Sequence, residues 1–200
     1  MTLVSNLING ISLGSVYAII ALGYTMVYGI AKMLNFAHGD VIMVGAYMCF
    51  CSMTYLSLPP IVSILIAMVV CTLLGVIVEV LAYRPLRKAS SLAVLITAIG
   101  VSYLLQNAAL LIWGSAPKTF SSVVPFGSVS LFNGDLIITG ESIVTVAACV
   151  VIMICLTVFT KKSRMGKAMR AVSEDKDAAQ LMGINVNKTI AITFAIGSAL

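Results

Sequence analysis

Charged side chains are scarce in this 200-residue sequence. It has 12 Lys and Arg and 7 Asp and Glu, which together make 10% of the chain, whereas 60% of its residues are hydrophobic. Soluble domains carry about 25% charged residues. The composition therefore excludes an ordinary soluble domain and predicts an integral membrane protein. The net charge of +5 does not indicate nucleic-acid binding, because eleven of the basic residues fall in segments that we place on one side of a membrane.

Residues that carry metal, disulfide or nucleotide chemistry are equally few. There is a single histidine, His38, and all five cysteines lie within apolar runs, so neither a metal site nor a disulfide framework is expected. No segment matches the phosphate-binding G-x-x-x-x-G-K-[ST] loop, since Gly166-Lys167-Ala168 lacks both the hydroxyl residue and the upstream glycine. We therefore expect the chain to bind no cofactor and to leave any ATP to another protein.

What the sequence has instead is a series of long apolar runs. Five of them can cross a hydrocarbon core of about 30 Å, and a sixth, from Thr189 to Leu200, covers only about 18 Å at 1.5 Å per residue. The sequence predicts an all-α, polytopic transmembrane bundle with five complete spans and the start of a sixth, forming one domain over 1–200 that is C-terminally incomplete. The five spans are Val4–Ala31, Val41–Ser57, Ile61–Tyr83, Leu92–Trp113 and Glu141–Thr160.

The basic residues predict the orientation of the chain. They concentrate in the segments 84–91 and 161–188, whereas 114–140 contains only Lys118. Because short loops rich in Lys and Arg stay in the cytosol, we expect the N-terminus outside and 161–188 to be a cytosolic loop. In the outer segment, Asn133-Gly134 between two β-rich runs predicts a hairpin.

The loop 161–188 contains a short helix signal. Ser173 is a good N-cap, and Gly183 suits the left-handed position that ends a helix, so we expect a helix from Glu174 to Met182. Its apolar face consists of three residues at helical spacing, namely Ala178, Leu181 and Met182. A short exposed helix with one apolar face is suited to dock into a groove on a soluble partner.

The fourth span is the most polar. Four side chains project within about 140° of one another at 100° per residue; they are Ser102, Tyr103, Gln106 and Asn107. Polar groups are costly in hydrocarbon unless they face protein or a wet cavity. This face therefore lines either a helix contact or a substrate path, and we favour the path.

Small residues recur every four positions in the first span, at Gly10, Gly14 and Ala18, which predicts close helix packing. The run from Gly10 to Gly14 also matches the G-x-S-x-G of serine hydrolases, so an intramembrane protease using Ser12 with His38 is an alternative hypothesis. The structural interpretation of His38 is an interfacial residue.

Other polar residues also have structural interpretations. Asn35 or Asp40 is expected to cap the second helix. Glu79 is either a functional intramembrane carboxylate or a partner of Arg84, Arg87 or Lys88.

Two resemblances follow from these residues. Asp177-Ala178-Ala179 followed by Gly183 resembles the EAA…G coupling loop of ABC importer permeases, with Asp in place of Glu. The segments N-G-I-S-L-G-S-V-Y-A, G-Y-T-M-V-Y-G and N-F-A-H-G-D, between Asn9 and Asp40, resemble the LivH-type permeases of branched-chain amino acid importers, as does T-A-I-G-V-S-Y-L-L-Q-N, Thr97 to Asn107.

The resemblance implies a non-enzymatic permease subunit in the bacterial plasma membrane. The implied partners are two ATPase subunits, which would bind ATP, a second related permease and an extracytoplasmic binding protein. The implied coupling residues are Asp177, Ala178, Ala179, Leu181, Met182 and Gly183. Related permeases serve urea or short amides, so that substrate remains an alternative, as does a passive channel.

Overall fold

The structure, a computed structural model, describes residues 2–87, 89–119, 127, 129–131 and 136–200. Most of this part of the chain is helical. The elements, in chain order, are α1 (Thr2–Ala31), α2 (His38–Thr54), α3 (Pro60–Val78), α4 (Ser91–Trp113), β1 (Val129–Leu131), β2 (Leu136–Ile138), α5 (Gly140–Lys162), α6 (Arg164–Glu174), α7 (Lys176–Leu181) and α8 (Val186–Ala199). α3 continues without a break through a π-helical turn, Glu79–Tyr83, and a 3-10 turn, Arg84–Leu86.

Four helical segments of the described chain are long and apolar enough to cross a membrane. They are Leu3–Ala31, Pro60–Leu86, Ser91–Trp113 and Gly140–Lys162. Many of their large apolar side chains point away from the protein, as Leu81 and Leu111 do with 73% and 86% of their surface exposed. Such exposure is costly in water and favourable in lipid. The predicted helical membrane bundle is therefore confirmed.

The predicted hairpin is confirmed in its strands. β1 and β2 pair antiparallel, with Val129 opposite Ile138 and Leu131 opposite Leu136. The Asn133-Gly134 turn lies outside the described residues.

α8 packs against both α1 and α3 through positions that only small residues can occupy. A Cβ atom on Gly23 of α1 would lie 2.8 Å from the carbonyl oxygen of Gly197 in α8, and a Cβ on Gly75 of α3 would collide with Ser198. Real Cβ contacts are never this close, so the backbones approach because side chains are absent. Sequence reasoning missed this seam.

The stripe in the first half of α1 has a different environment. A Cβ on Gly10 or Gly14 would meet nothing within 4 Å, and Ala18 is half-buried. Close packing at this stripe therefore stays a prediction.

The main core lies where these helices meet α6 and α7. Tyr83 of the π-helical turn and Phe194 of α8 are fully buried and pack with ring centroids 5.3 Å apart. Buried residues of the hydrophilic segment join the same cluster, namely Met169, Val172 and Ala179. The segment 161–188 is thus packed onto the helical bundle and is not a detached linker.

The glycine seam gives a prediction with an internal control. Gly23→Ala should lower stability by about 1–3 kcal/mol, because the new methyl group must push α1 away from α8. Gly14→Ala adds the same methyl group in open space, and its better helix propensity should leave stability unchanged or slightly raised. Thermal unfolding of the two purified variants compares them directly. Equal melting temperatures would contradict the seam.

Candidate functional site

The segment 161–188 folds into two helices where one was expected. Ser163 caps α6, its Oγ accepting the N–H of Gly166 at 2.8 Å. Met169 and Val172 are buried, so packing keeps the chain helical as far as Glu174. The predicted N-cap, Ser173, is therefore wrong: it lies inside α6 and donates its hydroxyl to the carbonyl of Arg170 at 2.7 Å.

Asp175 forms the break between the two helices. Its Oδ1 accepts the backbone N–H groups of Asp177 and Ala178 at 2.8 and 3.0 Å, so it is the N-cap of α7. α7 consequently begins at Lys176, two residues later than predicted. The predicted end is confirmed in its backbone, because Gly183 has φ +81°, the left-handed conformation that favours glycine.

α7 has one face turned outward and one turned inward. Leu181 and Met182 are 89% and 83% exposed, and Ala178 is exposed beside them. Asp177 is exposed as well. Ala179 is only 4% exposed, and it packs within the protein's own core. The exposed face is a small apolar surface in an otherwise hydrophilic loop. Ala178 belongs to this surface, whereas Ala179 packs in the core.

Lys176, the first residue of α7, connects this helix to the membrane-spanning part. Its Nζ donates a hydrogen bond to the carbonyl oxygen of Ala31 at the end of α1, at 2.8 Å. Burial lowers the pKa of the Lys176 ammonium group, and the nearby charges of Arg87 and Lys32 lower it further. The bond to Ala31 fixes the start of α7 against the end of α1.

A fully buried carboxylate, Glu79, lies at the C-terminal end of α3. Arg84 Nη2 is 2.9 Å from its Oε2, and Arg87 also pairs with it. Arg87 then donates to the side-chain oxygen of Asn187, in the first turn of α8. Of the two roles expected for Glu79, the structure shows the pairing with arginine.

Asn35 was one of two residues expected to cap α2, but it does not cap this helix. Its Oδ1 accepts the hydroxyl of Tyr83 at 2.9 Å, and both residues are buried. The N-cap residue of α2 is Ala37, whose methyl side chain cannot accept a hydrogen bond. The Asn35 side chain therefore forms a tertiary hydrogen bond with Tyr83 in place of a helix cap, and no pattern in the sequence predicted this bond.

Asp40, the other expected cap, instead contacts the polar face of α4. Gln106 donates its Nε2–H groups to Asp40 Oδ1 at 3.0 Å and to Ser102 Oγ at 3.1 Å. Asn107 donates to the backbone carbonyl of its own helix at Tyr103, and Tyr103 is 63% exposed. The predicted polar face is thus divided, with one half contacting α2 and the other pointing out of the described structure.

α2 begins beside the interior of α1 and not beside its end. The position of a Cβ on Gly23 is 3.0 Å from the His38 ring, and Gly23 lies eight residues, or about 12 Å, before the end of α1 at Ala31. Residues 32–37 are not helical, and they lead the chain back from the end of α1 to the level of Gly23. Non-helical backbone occurs at membrane depth only where protein or a wet cavity surrounds it, so His38 and Asp40 mark a protected interior position.

The structure does not bring Ser12 and His38 together. Ser12 precedes Gly23 by eleven residues of continuous helix, which places it about 16 Å along α1 from the histidine ring. A general base must be within hydrogen-bonding reach of its nucleophile. The intramembrane-protease hypothesis is therefore wrong.

Comparison with known proteins identifies the family. The family model described as "Branched-chain amino acid transport system / permease component" matches residues 6–200. The chain belongs to this family. The resemblance to the LivH-type permeases is confirmed, and the chain is a multi-pass inner-membrane protein.

Curated permeases align over nearly the whole chain. It is 42% identical to the high-affinity branched-chain amino acid transport system permease protein BraD of Pseudomonas aeruginosa, over 97% of this chain and 66% of the relative. It is 40% identical to the corresponding protein LivH of Escherichia coli K12, over 96% of this chain and 66% of the relative. The chain thus spans 66% of the length of these relatives.

A more distant relative comes from an archaeon. A probable branched-chain amino acid transport permease protein LivH of Methanocaldococcus jannaschii is 28% identical, over 91% of this chain and 58% of the relative. No solved structure matches. The printed names of all three relatives describe transport components and not enzymes.

Proposed function

We propose that this chain is the membrane-spanning permease subunit of an ABC importer for branched-chain amino acids. Its proposed partners are ATPase subunits, two per complex, a second related permease subunit and an extracytoplasmic substrate-binding protein. The permease domain covers 1–200, with 161–188 as its cytosolic loop. The observation that supports this proposal most is the exposed apolar face of α7, to which an ATPase subunit could bind.

The residues of α7 divide into a docking surface and a support. Ala178, Leu181 and Met182 form the surface that would enter a groove on the ATPase, because they are exposed and apolar. Ala179 and Lys176 hold the helix to the bundle, from within the core and through Ala31. A passive channel needs no such surface, which is why we favour the ATP-driven transporter.

Docking is tested by placing a charge on the outer face. Leu181→Glu should leave the permease inserted and folded, because the side chain contacts little of its own protein, and it should weaken ATPase docking by about tenfold or more through loss of apolar burial. Gln180→Glu adds the same charge to an exposed position of α7 outside the apolar face. The measurement is ATP hydrolysis stimulated by loaded binding protein in reconstituted complexes. Full stimulation in Leu181→Glu would remove α7 as the coupling element.

For orientation we propose an extracytoplasmic N-terminus with five spans and a sixth that begins in α8. Besides the four long apolar segments, we count α2 as a span, although its 17 residues cover only about 25 Å. α2 runs alongside α4 in the same direction, because Asp40 contacts Gln106 and, seven residues later in both helices, Tyr47 stacks on Trp113 with ring centroids 4.5 Å apart.

Cysteine labelling tests this orientation. In a background without the five native cysteines, Ser115→Cys and Gln180→Cys occupy exposed positions after α4 and on α7. An impermeant thiol reagent should reach Ser115→Cys from outside in intact cells and Gln180→Cys only after the membrane is opened. Labelling of both sites in intact cells would exclude the arrangement.

We also propose that the polar face of α4 and the first turn of α2 line the translocation path. Gln106 donates to Asp40 and also to Ser102, whereas Tyr103 and Asn107 are exposed, and we expect a second permease to pack on that side. An isolated carboxylate would be very costly there. Hydrogen bonds and a wet path would reduce that cost.

Gln106→Leu tests the path. It removes the amide that bonds to Asp40, and loss of a hydrogen bond to a charged group, about 1.5–3 kcal/mol, should lower uptake by about tenfold or more. Thr145→Val in α5 is the control, because its hydroxyl bonds to its own helix at Glu141. Uptake in proteoliposomes is compared with recovery of the ATPase on purification. Loss of the ATPase from Gln106→Leu complexes would instead identify a packing contact.

The proposed amino acid cargo comes from the relatives' names, since no set of side chains among the described residues is specific for it. A related importer for urea or short amides is the alternative. The ligand carried by the co-purified binding protein separates the two.

A further inference from the structure

A cleft opens at the end of the bundle where α1 finishes and α4 begins. Its volume is about 270 Å³, and α7 forms one of its walls. Three basic residues from separate parts of the chain line it: Lys32 after α1, Arg87 after α3 and Lys176 at the start of α7. These residues are far apart in sequence, so the cleft exists only in the folded protein.

The positive charge of this cleft is largely uncompensated. Among the described residues that line it there is no Asp or Glu. Glu79, which pairs with Arg87, does not line the cleft, is fully buried and is shared with Arg84. Lys176 donates to a backbone carbonyl and not to a carboxylate. Burial lowers the pKa of Lys176, and the charges of Arg87 and Lys32 lower it further, against a smaller opposing effect of the neighbouring Asp177. Lys176 is therefore close enough to both other cations to be repelled by them.

Two further features favour an anion here. Arg87 lines the cleft, and its buried Nε has no hydrogen-bond partner among the described residues, so the guanidinium group keeps an unused donor. Ser91, the first residue of α4, also lines the cleft. The positive end of the α4 dipole therefore adds to the field of the three side chains.

The remaining walls are apolar. Val94 and Leu95 come from the first turns of α4, and Tyr28 of α1 is 48% exposed at the cleft. A fully hydrated inorganic anion gains nothing from such walls. A headgroup attached to glycerol and acyl chains would place its phosphate among the cations and its apolar part beside Tyr28 and Leu95. Basic pockets between transmembrane helices are known sites of anionic lipid headgroups.

We propose that this cleft binds the phosphate group of an anionic phospholipid. The bound headgroup bridges the end of α1, the segment after α3 and the start of α7, which are the three places that supply its cations. This inference is independent of the transported substrate. It would stand or fall without affecting the proposed transport function.

The experiment uses the full-length permease in its complex, purified in neutral detergent with phosphatidylcholine. Phosphatidylglycerol is titrated in, and the shift in melting temperature gives the half-saturating lipid fraction, since a ligand that binds the folded state raises its stability. Lys32→Gln should raise that fraction about fivefold, the factor expected for one basic residue near a membrane surface. Lys32→Gln combined with Lys176→Gln should raise it about 25-fold.

Lys167→Gln is the matched control, because Lys167 is an exposed lysine of the same hydrophilic segment that does not line the cleft. It should titrate like the unchanged protein. Inorganic phosphate at equal concentration should give no shift, which assigns the phosphate to a lipid. A phosphate shift that disappears in Lys32→Gln would keep the phosphate site and assign it to a soluble ligand. Half-saturation within twofold of the unchanged protein in both cleft variants overturns the proposal.

Discussion

The ion pairs of the buried Glu79 carboxylate are the interaction on which the end of the bundle beside α6 and α7 depends. An unpaired charge in this position would cost several kcal/mol, so the chain must bring both Arg84 and Arg87 to it. The π-helical turn that begins at Glu79 widens the end of α3 and turns Tyr83 toward Asn35. Arg87 extends the network to α8. The network around this one acidic residue thus includes the segment between α3 and α4 and the first turn of α8, and the adjoining π-helical turn contacts the segment between α1 and α2.

Patterns that act over short distances predicted most of the architecture. Apolar run length located the membrane-spanning helices, Asn-Gly located the hairpin strands, and the glycine rule gave the end of α7 at Gly183. The start of α7 was missed because Ser173 and Asp175 are both good caps. The choice between them was made by packing, since burial of Val172 keeps α6 helical beyond Ser173. Residue type alone cannot decide such a competition.

Contacts between distant residues were not predictable in the same way. Asn35 was expected to bond locally, yet its partner is Tyr83, 48 positions later. The glycines predicted to pack, Gly10 and Gly14, have open space, whereas Gly23 meets Gly197. A small residue permits close approach but does not name the helix that approaches. At the candidate site, the apolar face predicted from helical spacing is exposed, but the sequence did not separate it from the buried Ala179.

The seam between Gly23 and Gly197 has a mechanical consequence. Two backbones in direct contact have no flexible side chains between them that could reorient to allow sliding, so α1 and α8 should move as one rigid body. α3 joins the same body through Gly75 and Ser198. α7 is tied to it through Ala31. A displacement imposed on α7 would then be transmitted to α1, α3 and α8 together, and not to one helix alone.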